Sequence, residues 1–468
     1  MLKVYNTLDR KLEEFKPLQN KSVSFYQCGP TVYWTQHIGN MRAMVLADLI
    51  RRSLLYLGYQ VKFARNYTDV GHLTSDADEG EDKMAKAAKR DKLSPEDVAR
   101  KYIAQFEADV NSLNCLEPNA KPRATDYIDQ MAQMVQALLD KGYAYVTDLG
   151  IYFDISKFEN YTQLSGQKLE MNQAEAGKGG ISDKEKRNSA DFAVWLFKAG
   201  THQDALQIWE KEFILTDGQK IKKLGFPGWH LECSAMNLAI FGPTIDIHMG
   251  GIEHIPVHHT NEIAQSEAAS GKKLANYWLH NEHLTVDGGK MAKSEGTSFS
   301  LDEIKEKGYD PLALRYLFLQ AHYRSKQNFT WKALEAAKTS LGLMRGRISD
   351  YSHRQEEGRI DEKFKEKFKK TLNDDFNIPQ ALAVTWEVLK SGLSNTDKKA
   401  TVLDFDKVLG LGLENIAEIP SEVRNLAEKR LASRQRKDWE ASDLLRKKIE
   451  ELGFKVEDVE EAYKLKKI

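Results

Sequence analysis

Two cysteines about two hundred residues apart each sit in a segment with the side chains of a reaction site. Cys28 follows the strand-like run Ser22-Val23-Ser24-Phe25-Tyr26-Gln27 and opens Cys28-Gly29-Pro30-Thr31. Cys233 follows Gly228-Trp229-His230-Leu231-Glu232. A third segment, His258-His259-Thr260-Asn261-Glu262, sets an imidazole and a carboxylate four residues apart. On a helix that spacing puts both on one face. Two thiolates, an imidazole and a carboxylate make a complete tetrahedral donor set for zinc. The competing reading is plain packing, because free cysteine is commonly a small buried apolar residue. No CxxC or HxxxH signature is present, so spacing alone leaves both readings open. Three cysteines in 468 residues argue against a disulfide framework, and Cys115 reads as structural.

A second pair of segments suits phosphate. The loop from Cys28 ends in His37-Ile38-Gly39-Asn40 at an expected helix start. Backbone N–H groups and the helix dipole favour an anion there, Gly39 lets the backbone come close, and His37 can donate to a phosphate oxygen. Asp287-Gly288-Gly289-Lys290-Met291-Ala292-Lys293-Ser294 carries two lysines on a glycine-flanked loop. Two mobile ammonium groups can follow charge developing on a leaving pyrophosphate. A solvated lysine turn is the ordinary alternative. Neither a Walker-A loop nor a GxGxxG string is present.

The elements that must position these residues are legible in outline. A strand ends at Cys28, a helix runs near Gly39 to Leu57 before Gly58, and Val61 to Arg65 is a second strand. This is a βαβ unit, whose ligands bind beyond the carboxyl ends of its strands. Residues 95 to 140 read as charged helix, and 172 to 187 as a loop on an inserted region. The second half of the sheet is expected to resume near Phe226-Pro227-Gly228-Trp229, and Thr244 to Gly251 reads as a strand running into a glycine turn. From about residue 310 onward the chain reads as helix, with no strand of useful length. Arg424, Lys429, Arg430, Arg434, Arg436, Lys437, Arg446, Lys447 and Lys448 form a basic cluster near the end.

Composition sets the class. Hydrophobic residues make up 41% and charged residues 29%, the range of a globular protein of several domains. No apolar run reaches membrane-helix length and the N-terminus lacks a signal-peptide core, so a reduced cytoplasmic setting and no membrane partner are expected. A net charge of -1 gives no global field for nucleic acid, so such a partner needs local basic patches.

With these segments in view, the chain resembles the class I aminoacyl-tRNA synthetases. His37-Ile38-Gly39-Asn40 is similar to their HIGH motif and Lys290-Met291-Ala292-Lys293-Ser294 to KMSKS. The blocks Cys28-Gly29-Pro30-Thr31-Val32-Tyr33, Pro227 to Met236, His258 to Ser266, Pro311 to Tyr316 and Asp374-Asp375-Phe376-Asn377 narrow the resemblance to the cysteinyl-tRNA synthetases. The resemblance implies an α/β fold: a Rossmann-like doubly wound parallel sheet over residues 1–300 with a connective insertion about 112–205. It further implies a helical linker and stem-contact region at 301–344 and a helical anticodon-binding domain at 345–420. A small basic tRNA-contacting domain at 421–468 completes this order.

It also implies activation of L-cysteine by ATP with Mg²⁺ and transfer to tRNA(Cys), by a chain expected to be a monomer. One zinc would bind Cys28, Cys233, His258 and Glu262 and take the substrate thiolate, discriminating against serine without an editing domain. His37, Asn40, Lys290 and Lys293 would handle ATP. Gly29, Thr31, Thr68 and Trp229 would line the amino-acid pocket. A cysteine ligase acting on an amino-sugar shares this core but has no use for the long helical C-terminus. Three departures stand out: Asn40 replaces the last His of HIGH, Ala292 replaces the first Ser of KMSKS, and Glu253-His254 stands where a Ser-Asp pair is expected.

Overall fold

The computed structural model describes all residues except 72–81, 168–182, 292–295, 352–357, 415–419, 460–461 and 468. Its centre is a four-stranded parallel sheet in the order Ala275–Asn281, Ile245–Gly251, Ser22–Gln27, Gln60–Arg65. The middle strands are buried on both faces, as a parallel sheet covered by helices requires. Adjacent residues therefore enter different cores. Phe25 joins the large cluster with the helix Ile38–Tyr56, while Tyr26 joins a second cluster with Cys233, Ile263 and Trp278.

The helix Ile38–Tyr56 starts where His37 caps it. His37 Nδ1 accepts the Asn40 backbone N–H at 3.2 Å, and Asn40 Oδ1 accepts the His37 N–H at 3.2 Å. This reciprocal box satisfies two helix-end donors. The helices Trp229–Phe241 and His258–Ser270 cover the opposite face and pack on each other. The expected helix, its flanking strands and the strand near Thr244 are thus present.

One expectation is corrected. Phe226 and Pro227 do not resume the parallel sheet. They end Lys220–Pro227, a strand of a separate five-stranded antiparallel sheet made with Ala144–Val146, Gly150–Phe153, Phe192–Phe197 and Trp209–Ile214. The parallel sheet resumes only at Ile245. The turn at Pro227-Gly228 delivers the chain from that antiparallel sheet directly to the helix carrying Cys233. Of the loop expected at 172 to 187, residues 172–182 lie outside the described residues.

The C-terminal region is helical, with Trp331–Asp350, Glu362–Leu372, Ile378–Lys390, Asn395–Leu409, Ser421–Gln435 and Trp439–Glu451. A closing hairpin, Phe454–Val459 with Ala462–Lys467, differs from the strand-free expectation. Its Phe454 and Val456 are buried against Val423, Ala427 and Ile449.

Candidate active site and metal centre

The sheet edge gathers four residues from three separate segments. Cys28 lies just past the strand Ser22–Gln27, and Cys233 sits one turn into its helix. His258 and Glu262 open the helix His258–Ser270. Cys28 Sγ lies 3.8 Å from Cys233 Sγ and 3.6 Å from Glu262 Oε1. His258 Nε2 lies 2.9 Å from Glu262 Oε1. The donor atoms of these four residues all fall within 4.8 Å of one another, and all four residues are buried. A tetrahedral ion with Zn–S near 2.3 Å sets its sulfurs about 3.8 Å apart. The thiol pair has that spacing, so the residues fit zinc.

Electrostatics agree. Burial pushes the Cys28 thiol well up, with Cys233 and Glu262 adding to the effect, while the hydrogen bond from Cys28 draws Cys233 down. Burial opposes charge on His258, but Glu262 and Cys233 overcome it and raise its pKa to about 10. His248 and His258 hold Glu262 below the usual carboxylate range despite burial. The imidazolium thus supplies positive charge where a cation would satisfy the same donors.

Sequence reasoning missed two more donors, His248 and His259. His248 Nε2 and His259 Nε2 each lie 3.4 Å from Cys28 Sγ. A histidine amid the wholly buried strand Ile245–Gly251 was the available signal for the first. The doublet His258-His259 was the signal for the second. Of the departures, His254 packs its ring 5.2 Å from that of His258 and 5.0 Å from that of His259.

The residues expected to line the amino-acid pocket lie near this cluster. Gly29 admits no side chain, since a Cβ would fall 1.7 Å from the Asn66 carbonyl oxygen. Its N–H donates to Asn66 Oδ1 at 2.8 Å, and the Thr31 and Thr68 backbones bridge in parallel. Thr68 Oγ1 donates to Glu232 Oε2 at 2.8 Å, so its hydroxyl is held by a buried carboxylate that sequence reasoning did not single out. Trp229 begins its helix half-buried, with its ring 4.9 Å from His258 and beneath the Lys83 ammonium.

The phosphate-suited loops are neighbours. Ile38 N–H donates to the Phe299 carbonyl at 2.8 Å, and His37 bridges Ser300. A Cβ on Gly39 would lie 2.4 Å from Met291 Cε and 3.0 Å from the His37 ring, so the flexible Met291 side chain rests directly on this helix end. Beside His37 lies a cavity of about 390 Å³ lined by Trp34, Thr35, Gln36, His37, Gly296, Ser298, Ser300 and Glu303. Lys290 pairs its backbone with Thr285, while Lys293 lies outside the described residues. Asn40 spends its Oδ1 on the cap, a structural duty for the residue that departs from HIGH.

Among the described residues, no helix is long and apolar enough to cross a membrane. The class I (C) tRNA synthetase catalytic domain matches residues 14–339. Cysteine–tRNA ligase 1 of Burkholderia lata is 44% identical, covering 99% of this chain and 96% of its own length. The cysteine–tRNA ligase of Treponema denticola is 37% identical over 98% of both chains. A methionyl-tRNA synthetase of Mycobacterium tuberculosis, solved with methionyl-adenylate, has the same fold at a TM-score of 0.56 and 14% identity, covering 86% of this chain and 95% of that one. Across its whole length, then, the chain belongs to the cysteine–tRNA ligases of the class I tRNA synthetases.

Proposed function

We propose that this ligase selects L-cysteine through zinc held by Cys28, Cys233, His258 and Glu262, and joins it to tRNA(Cys) using ATP and Mg²⁺. The observation that carries this reading is the thiol pair 3.8 Å apart, with the ion-paired His258 and Glu262 beside it, at the carboxyl edge of the sheet. When bound, the zinc supplies a soft, exchangeable coordination position for the substrate thiolate, which serine cannot fill equally.

The chain's own residues do the rest. The first step joins the cysteine carboxylate to the α-phosphorus of ATP and releases pyrophosphate. Positioning and charge stabilisation are what such a step needs. With His37 Nδ1 committed to the cap, Nε2 is the ring nitrogen that donates to a phosphate oxygen. With the Ile38 amide on the Phe299 carbonyl and that of Asn40 on His37, the Gly39 amide at the start of the Ile38–Tyr56 helix adds to it. Lys290 and Lys293 stabilise the departing pyrophosphate. Gly29, Thr31 and Thr68 shape the floor of the amino-acid pocket, and Trp229 forms a wall. Residues 1–300 carry this chemistry, interrupted by the inserted region, and 301–344 reach toward the tRNA stem. Residues 345–420 read the anticodon, and the basic 421–468 segment adds phosphate contacts. The working unit is a monomer in the cytoplasm.

The test is cysteine-dependent ATP–pyrophosphate exchange by zinc-replete, reduced protein without tRNA, together with the spectrum of protein carrying cobalt in place of zinc. Cysteine should support exchange and strengthen thiolate-to-cobalt charge transfer, and serine should do neither. Exchange with an unmoved spectrum would remove direct thiolate coordination. No exchange at all would remove the activation step.

A further inference from the structure

Lys290 ends a short hairpin, Leu284–Val286 with Gly289–Lys290. The first strand of that hairpin pairs in parallel with Gln327–Phe329. One buried side chain from outside this small sheet grips its base. Arg42 lies one turn into the helix that begins beside His37. Its Nε–H donates to Gln327 Oε1 at 3.0 Å. Its Nη2 donates to the Ser325 and His322 carbonyls at 3.0 and 3.4 Å, and its Nη1 to the Glu282 carbonyl. We propose that Arg42 is a positioning residue for the activation step, setting the lysine hairpin in register against the phosphate-binding end of its own helix.

All four acceptors lie on the two chain segments that enter the small sheet. A planar guanidinium fork can hold several acceptors in fixed directions, whereas an ammonium is a point donor on a flexible stem. Carbonyls and an amide oxygen, rather than a carboxylate, receive these hydrogen bonds. Burying a charge among such groups is unfavourable, and apolar packing would serve if cohesion were all that was needed. Burial draws the guanidinium down to about 10, against the pull of Glu282, so it stays charged at neutral pH. Gln327 is itself held in place. Its Nε2 donates to the Leu317 carbonyl at 2.6 Å and its backbone N–H to the His283 carbonyl at 3.2 Å.

The same helix also grips the far flank of the hairpin. Ile38 N–H donates to the Phe299 carbonyl, His37 bridges Ser300, and the Met291 side chain rests at Gly39. The first turn of the helix thus holds one flank and Arg42, in the next turn, holds the other. A lysine acting on a departing pyrophosphate matters most in the transition state, where a displacement of about 1 Å costs on the order of 10²-fold in rate. Cys28, Cys233, His258 and Glu262 accept no hydrogen bond from Arg42, so cysteine selection at that centre does not depend on it.

This inference rests on the reading of Lys290 and Lys293 as the groups that stabilise pyrophosphate. The experiment uses full-length, zinc-loaded protein in ATP–pyrophosphate exchange and in single-turnover adenylate formation. Arg42→Lys and Gln327→Leu are made separately, each in the unaltered chain and in one carrying Lys290→Ala and Lys293→Ala. Arg42→Lys keeps the charge and loses the fork, and should lower kcat by about 10- to 100-fold. The cysteine KM and the zinc content should stay within about twofold. Gln327→Leu should lower kcat in the same way by about three- to tenfold. Without the two lysines, either change should cost less than about threefold, because the groups being positioned are gone. Three results would overturn the proposal. The first is an unchanged kcat. The second is a rise in cysteine KM or a loss of zinc that matches the fall in kcat, which marks a general loosening of the fold. The third is the full cost persisting without the lysines. If Arg42→Lys fails to fold, the same readings on Gln327→Leu decide. An unaltered protein without cysteine-dependent exchange would instead remove the reading of the lysines, and this inference with it.

Discussion

Cys233 is the residue on which zinc and amino-acid selection converge. A neutral hydroxyl is a far weaker zinc ligand than a thiolate. Cys233→Ser should therefore lower zinc content and weaken cysteine binding together, in metal analysis and in the cysteine KM for exchange. Unchanged zinc content would mean that another donor, such as the nearby His248 or His259, fills the position. The side chains of this site were legible to very different degrees. Cys28, Cys233, His258 and Glu262 were ambiguous by spacing and became a donor set only through resemblance. Their approach depends on strands paired about two hundred residues apart, which no local pattern encodes. His248 and His259 were passed over because a histidine in an apolar strand and one beside a better-placed neighbour carry no local mark. Asn40 shows the opposite limit. Its type departs from the signature, but its cap with His37 depends only on a three-residue spacing that sequence displays.

Elements dock through buried charge as well as apolar packing. Asp48 on the helix Ile38–Tyr56 accepts from Arg52 Nε at 2.8 Å and from Arg315 at 2.7 Å. Arg315 Nε also donates to the Leu409 carbonyl, and Arg52 to that of Lys407. One carboxylate thus ties the helix that begins at His37 to Pro311–Leu319 and Asn395–Leu409. Asp48→Ala leaves two buried guanidinium groups without their anion and should cost about 3–5 kcal/mol in denaturant unfolding. A loss under about 1 kcal/mol would mean that the backbone carbonyls alone suffice.

Asp109, where the helix Pro95–Ser112 meets Leu301–Glu306, behaves oppositely. Burial raises it to about 6, only partly offset by Lys305 3.5 Å away. The folded pKa then exceeds the unfolded value of about 3.9, so the folded state holds more protons between about pH 4 and 6. Stability from this group is present below that window and is lost as pH rises through it. Asp109→Asn should remove that slope, with a gain at pH 7 of about 1 kcal/mol after allowance for solvent screening. Parallel unfolding curves at acid and neutral pH for both proteins check it, and identical pH slopes would refute the assignment. The helix Ile38–Tyr56 and three of the four parallel strands were legible from their apolar residues, while Ala275–Asn281 was not read as a strand. The five-stranded sheet was hidden, because Trp209–Ile214 and Lys220–Pro227 alternate with charges on an exposed face, and Phe226-Pro227 alone was legible, as a resumption of the parallel sheet. The closing hairpin was hidden similarly, its lysines and glutamates being good helix formers.

At the scale of the whole molecule, the cores predict where the chain can be cut. One continuous cluster runs from Leu2 to Leu413 and joins the sheet, the helix Ile38–Tyr56 and the helices through Asn395–Leu409. Tyr56 donates to Asp404 at 2.5 Å, and the Asp375 carboxylate takes the Tyr5 N–H at 2.8 Å and the Tyr323 hydroxyl at 2.7 Å. A chain ending near residue 345 would expose the core partners of Phe368, Val388, Phe405 and Leu409 and take the Lys407 carbonyl from Arg52 and the Leu409 carbonyl from Arg315. It should be insoluble or unfolded. Residues 421–468 are different, because Val423, Ala427, Ile449, Phe454 and Val456 pack on one another in a cluster of their own. A chain ending near residue 414 should keep its melting temperature within a few degrees, since little of the main core is lost. Its cysteine-dependent exchange should stay within about twofold, while tRNA charging falls and tRNA binding loses part of its salt dependence. Arg430, Arg434 and Arg446 share the single Asp458, which leaves positive charge in excess there. Calorimetry, exchange and charging measured on the two truncations decide the matter. A folded, active 345-residue fragment would show that the catalytic part does not depend on the helical core. Full charging by the 414-residue chain would reduce the basic cluster to a solvated surface.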